Sequence, residues 1–145
     1  MTQKFKSYAL EKWVEGEGTG QVVKHAVTGE LLGEVTSRGL DFKAMLDHAR
    51  NTGGPTLRSM TFHERALLLK DMAKYLISRK EEFYSLSTAT GATRADSWVD
   101  IEGGIATFFS YSGIGRREFH NETFHVETDV SPLSKSGSFI GRHIC

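Results

Sequence analysis

Apolar positions along the first third of the chain recur with the short period of strands. Tyr8, Leu10 and Val14 lie within a segment from Lys6 to Val14, a glycine-rich turn follows, and Gln21 to Ala26 and Leu31 to Thr36 flank the tight turn Val27-Thr28-Gly29-Glu30. The pattern predicts a small β-meander over 6–36. After Gly39 the period lengthens: Leu40, Ala44, Met45, His48 and Ala49 fall at helical spacing, with Asp41 placed to cap a helix over 41–52 and Gly53-Gly54-Pro55 placed to end it. Thr61-Phe62-His63-Glu64 reads as a capping box, and Ala66, Leu69, Ala73 and Leu76 line one face of the helix it opens, over 61–90. That stretch exceeds most globular helices, so a bend or short break is expected near Ser78 to Lys80, and Thr90-Gly91 supplies the stop. A third helix, 95–112, carries Trp98, Val99, Ile101, Ile105, Phe108 and Phe109, with Gly113 expected to close it. The tail returns to alternation over Thr123 to Thr128 and Ser138 to Ile144, with Asp129-Val130-Ser131-Pro132 as the turn between them.

Composition narrows the classes of function. The 145 residues carry 18 basic and 18 acidic side chains, scattered rather than clustered, so no field gathers nucleic acid or an anionic membrane. No apolar run approaches the roughly 20 residues of a membrane helix. The charged start Met1-Thr2-Gln3-Lys4-Phe5-Lys6 leaves no room for a signal-peptide core, and one cysteine makes no internal disulfide, so a cytoplasmic location is expected.

Several motifs invite chemistry and have a simpler reading. Gly16-Glu17-Gly18-Thr19-Gly20 lacks a following helix N-terminus and carries Glu15 and Glu17, which repel phosphate, so a flexible hairpin loop is the better reading. Of the six histidines only His120 and His125 are close, and five apart on a strand they face opposite ways, so no metal site is expected. Asp96, Asp100 and Glu102 suit the start of the third helix through its dipole rather than as a catalytic carboxylate pair. Gly103-Gly104 inside that helix marks either a close helix contact, the simpler reading, or room left for a bulky group. His143 and Cys145 share a strand face and Arg142 is near, an arrangement that lowers a thiol pKa, but a thiol there lacks a packed wall and oxyanion donors.

Four stretches, "VTGELLGEVTSRGLDF", "GGPTLRSMTFHERALLLKDMAKYL", "LSTATGATRADSWVDIEGGIATFF" and "PLSKSGSFIGRHI", together resemble in order the N-terminal part of the aldehyde dehydrogenase superfamily, and within it the enzymes of phenylacetate and aromatic-ring degradation. The resemblance implies an α/β fold: an incomplete doubly wound domain over 1–113, two strands of an oligomerisation flap over 114–145, and a catalytic domain not represented. It implies a cysteine thiolate that attacks an aldehyde, an oxyanion site, hydride transfer to NAD or NADP and a glutamate that activates water, none of them at positions in this chain. No catalytic, cofactor-binding or metal-binding residue is therefore assigned, and Cys145 matches an apolar strand position of the family. The third helix matches one that borders the substrate tunnel, which makes Asp100, Ile101, Gly104 and Phe108 tunnel candidates. The expected function is that of an N-terminal fragment of an NAD(P)-dependent aldehyde dehydrogenase, inactive alone and oligomeric through its flap strands, with a small-molecule aldehyde as substrate of the longer enzyme. The alternative is a non-catalytic assembly module that pairs through its strands with itself or with a dehydrogenase. A hydrolase built on His143 and Cys145 is the remote third.

Overall fold

Two antiparallel hairpins open the chain where a single meander was expected: β1 (Lys6–Ala9) pairs with β2 (Lys12–Glu15), and β3 (Gln21–Lys24) with β4 (Leu31–Val35). In this computed structural model, which describes residues 3–127 and 129–144, neither β1 nor β2 joins the sheet of β3 and β4. The predicted strand from Lys6 to Val14 breaks because Leu10 and Glu11 both adopt left-handed φ, 51° and 63°, in a two-residue turn that matches strand twist. The usual Asn-Gly signal for such a turn is missing from the sequence. Gly16 to Gly20 is not a hairpin loop either. It joins two separate hairpins and packs against the end of β4: a Cβ on Gly16 would lie 2.3 Å from the Thr36 carbonyl oxygen, and one on Gly20 2.6 Å from that of Val35. The turn at Val27–Glu30 forms as expected, with Gly29 at φ 72° and the His25 Nδ1 accepting from the amides of Val27 and Thr28.

Asp41 caps α1 (Phe42–His48) by accepting from the Ala44 amide at 2.9 Å. Gly53-Gly54-Pro55 does not stop the helical path. A π turn over Ala49–Gly53 bonds the Gly54 amide to the Ala49 carbonyl and leads into α2 (Gly54–Ser59). Pro55 sits in the first turn of α2, where a missing N–H costs least. Thr61 and Glu64 form the expected reciprocal box at the start of α3 (Phe62–Ser78), with Glu64 Oε2 accepting from the Thr61 amide at 2.7 Å and Thr61 Oγ1 from the Glu64 amide at 3.2 Å. The helix breaks at Arg79, whose φ of −112° and ψ of 12° leave the α region, and resumes as α4 (Lys80–Ser87) with a 3₁₀ turn over Thr88–Thr90 ending at left-handed Gly91. The third predicted helix is α5 (Arg94–Trp98), a π turn over Val99–Gly103 and α6 (Gly104–Glu118). It runs past Gly113, because neither Gly113 nor Gly115 takes a left-handed φ.

The chain forms two compact units, each built from two separate stretches. One comprises residues up to Gly54 together with Arg79–Glu102. Within it the stretch Gln3–Phe5 runs beside β4: the Phe5 amide donates to the Glu34 carbonyl at 2.8 Å and the Glu34 amide to that of Gln3 at 2.9 Å. Gly33 permits the approach, since a Cβ there would be 2.6 Å from the Gln3 oxygen. Ala9, Tyr84 and Ser97 are its buried residues among those with burial assigned, along with glycines 16 and 33.

The other unit comprises Pro55–Ser78 and the chain from Gly103 onward. α3 and α6 pack along one another, burying Ala66, Ala73, Ile105 and Ser112. The predicted α3 face is the inward one: Ala66 and Ala73 are buried, Leu69 and Leu76 half-buried. α6 ends at Phe119, whose carbonyl accepts from His63 Nε2 at 2.8 Å and whose ring stacks on Phe62 at 4.6 Å. Among its described residues the tail holds four short strands where two were expected. β5 (Phe124–Val126) pairs antiparallel with β8 (Arg142–Ile144), and β6 (Ser131–Pro132) with β7 (Ser138–Phe139). Ser131 and Pro132, expected in a turn, are strand residues, and the turn lies at Ser134–Gly137, where Ser134 Oγ accepts from the Gly137 amide at 2.9 Å. His120 lies outside any strand, so its separation from His125 rests on that position and not on alternating faces. Thr128 and Cys145 lie outside the described residues, and with them the proposed pairing of Cys145 and His143. Among the described residues no helix is long and apolar enough to cross a membrane.

Candidate substrate-facing site

The four tunnel candidates divide between the units. Asp100 and Ile101 lie in the π turn of the first, Asp100 exposed and Ile101 half-buried. Gly104 and Phe108, in the second, are brought together by helical spacing and line one apolar pocket of about 380 Å³ with Leu69, Thr107 and Tyr111. Gly103 and Gly104 are not a close helix contact: a Cβ on either would meet no atom within 4 Å. The glycine that does serve close packing is Gly115, where a Cβ would stand 3.0 Å from the Ala66 Cβ. What Gly104 contributes is open space, floored by the Phe108 ring and walled by Leu69 from α3. Thr107 Oγ1 is turned back on the Gly103 carbonyl at 3.1 Å, so its polar atom is already engaged. This pocket can hold an apolar group and orient it.

The first unit carries a polar cluster. Glu102 Oε1 accepts from Lys80 Nζ at 2.9 Å and from Tyr84 Oη at 2.8 Å. The hydrogen bond from the Lys80 ammonium, and after it the one from Tyr84, hold the Glu102 carboxyl below its usual range. Burial, reinforced by the hydrogen bond to Glu102, pushes the Tyr84 phenol up. Arg94 stacks its guanidinium 3.7 Å from the centre of the Tyr84 ring and reaches both Glu81 oxygens at 3.3 Å. Tyr84, Arg94, Trp98, Val99 and Glu102 line a shallow pocket of about 730 Å³. The ion pair keeps Glu102 charged and occupied, which suits it to shaping the turn rather than to exchanging protons.

Of the acidic residues expected to act through the helix dipole, Asp96 stands in the first turn of α5 and, like Glu102, also has a local role, while Asp100 is exposed. Asp96 closes a capping box with Thr93, its Oδ2 accepting from the Thr93 amide at 3.3 Å and hydroxyl at 2.7 Å, and these bonds lower its pKa. The signal was present as Thr-x-x-Asp, beginning two residues before the predicted start at Ala95. Nothing local announces Lys80, Tyr84, Arg94 or Leu69 as site residues, since each joins its cluster from a segment distant in sequence, whereas Tyr111 lies one turn beyond Phe108 on the same helix.

The Gly16–Gly20 loop does not fit the phosphates of a dinucleotide. The amides of a phosphate loop must face open space, whereas Gly16 and Gly20 abut Thr36 and Val35, and Lys4 Nζ is drawn onto the Gly18 carbonyl at 2.9 Å.

Residues 13–138 match the aldehyde dehydrogenase family. The chain belongs to that family. It is 37% identical over 141 residues to a 3,4-dehydroadipyl-CoA semialdehyde dehydrogenase of Aromatoleum evansii, an alignment that covers 97% of this chain and 27% of that protein. The chain thus spans about a quarter of the length of this aldehyde dehydrogenase relative. The mixed α/β content, with small sheets and helices, is in keeping with a part of an aldehyde dehydrogenase.

Proposed function

We propose that the chain is the N-terminal portion of an NAD(P)-dependent aldehyde dehydrogenase that oxidises a CoA-linked aldehyde of aromatic-ring degradation to the carboxylic acid. The observation that carries this reading is the 37% identity sustained over 97% of the chain with a relative named for such a substrate. In it Gly104 and Phe108 border the substrate path, and the absence of a Cβ at Gly104 leaves width for a bulky acyl-CoA aldehyde. The chain turns over no aldehyde by itself, works in the cytoplasm and assembles through its tail strands. A chimera in which it replaces the matching quarter of the Aromatoleum evansii relative tests this. Activity on the CoA-linked semialdehyde is expected to survive, and Gly104→Phe in the chimera to depress that substrate more than a short aldehyde. A soluble, folded chimera without activity, or a 145-residue chain that itself reduces NAD or NADP with an aldehyde, overturns the reading.

One observation favours a second reading, a non-catalytic assembly module. α3 is apolar on two sides: beyond the face it buries on α6 it exposes Leu67, Leu68 and Met72. A helix apolar over more than one face is suited to packing between two neighbours. Light scattering on the purified chain is expected to show a dimer or larger species under this reading, and a monodisperse monomer overturns it.

A further inference from the structure

Arg65 stands in α3, one turn from the capping box, and points its side chain along the α3–α6 surface over Phe62, with Cζ 4.7 Å from the ring centre. Its Nε and Nη2 are closed to water and have no hydrogen-bond partner. These two atoms form one edge of the guanidinium, with their N–H bonds parallel. That edge matches the two oxygens of a carboxylate. The stack on Phe62 satisfies only the face of the ion and leaves the in-plane donors unused. A buried donor without an acceptor keeps its full desolvation penalty, larger still when charged, so such an edge calls for an explanation.

The surroundings specify what accompanies the acceptor. Arg65 lines a pocket of about 210 Å³ whose other walls are apolar, among them Phe62, Leu69, Tyr111, Ile114 and Phe119. Leu69 and Tyr111 also line the pocket of Gly104 and Phe108, so the two adjoin. Together they make an apolar run along α6 from Gly104 to Ile114, roughly 15 Å at the helical rise. Its cation lies in the part farther from Gly104. Tyr111 is 61% exposed, the lining side chain that loses least by turning aside to admit a ligand.

We propose that the Arg65 edge and this apolar run bind an amphipathic carboxylate: a monocarboxylic acid with an aliphatic or aromatic body, its carboxylate paired side-on with Nε and Nη2 and its body lying toward Leu69 and Phe108. A neutral apolar molecule leaves the edge unpaired, and a small hydrophilic anion leaves the apolar walls uncovered. The combination of the two features selects the class. The site rests on this geometry alone and stands or falls independently of the dehydrogenase reading.

The test uses the full 145-residue chain, labelled with ¹⁵N and titrated with octanoate, 1-octanol and acetate. Octanoate is expected to shift the amides of Phe62, Arg65, Gly115 and Phe119 saturably, with 1-octanol and acetate at least tenfold weaker. Arg65→Lys keeps the charge and loses the planar edge, and it is expected to weaken octanoate at least tenfold while leaving 1-octanol unchanged. Equal binding of octanoate and 1-octanol, equal binding by wild type and a folded Arg65→Lys, or no saturable shift at these amides each overturns the site. The comparison of the three probes on the wild-type chain decides the matter even where the variant fails to fold.

Discussion

The two ends of α6 both carry glycines, and they use them for opposite ends. At its start Gly103 and Gly104 face open space, so nothing in their packing demands glycine. Near its close Gly115 is pressed against Ala66 of α3, and a side chain there has nowhere to go. Glycine in a helix interior costs about 1 kcal/mol relative to alanine. At Gly115 that cost is offset by closer approach of two helices; at Gly104 it is not offset by any contact within the unit. A residue kept small without a packing reason is the one to suspect of keeping space for something else.

The strongest way to break this contrast is Gly115→Leu, which overfills the α3–α6 contact and is expected to destabilise the chain by about 1–3 kcal/mol, read as a lower urea midpoint. An unchanged midpoint would remove the packing role. Gly104→Ala should move the other way, raising stability by up to about 1 kcal/mol through helix propensity alone. A loss of stability there would mean that Gly104 is also packed. The same reasoning extends to helix starts: Thr93→Ala removes the cap of α5 and should cost about 1 kcal/mol, visible as a lower thermal midpoint. The smallest effect is the pH dependence of the Asp96 and Glu102 carboxyls. Their folded pKa values lie below the ordinary 3.8 of Asp96 and 4.5 of Glu102, so the stabilisation is present above those values and lost as pH falls through the folded ones. In the Thr93→Ala variant the part due to Asp96 should flatten between pH 4 and lower values, measured by denaturant midpoints at each pH, while the part due to Glu102 persists.

What the sequence disclosed and what it withheld follow from the range of the interactions. Asp41, the box at Thr61 and Glu64 and the inward face of α3 depend on spacings within one or two turns, which periodicity and capping chemistry reveal, and the break at Arg79 was legible from the length of the helical stretch. The tight turn at Leu10-Glu11 was missed because neither residue advertises a left-handed φ. Gly113 was misread as a stop because α6 continues on packing against α3, which overrides a local signal. At the candidate site Gly104 and Phe108 came from the family resemblance of their helix, whereas Leu69 and the Lys80–Glu102–Tyr84 cluster depend on tertiary neighbours. The sequence carried no sign at Arg65, and only the burial of one edge of its guanidinium sets it apart.

The interleaving of the two units bears on how the chain reaches its fold. Each is assembled from two stretches separated by a stretch of the other, and the backbone bond from the Ala26 amide to the Ala89 carbonyl, 2.9 Å, closes a long loop within the first. Neither unit can be cut out as one continuous piece, and during synthesis neither can complete itself until its later stretch has left the ribosome. Contacts so far apart in sequence require loop closure before they return any energy, which slows folding. Until then the apolar side of α3 waits without α6, and that interval is when chaperone capture and aggregation compete for the nascent chain.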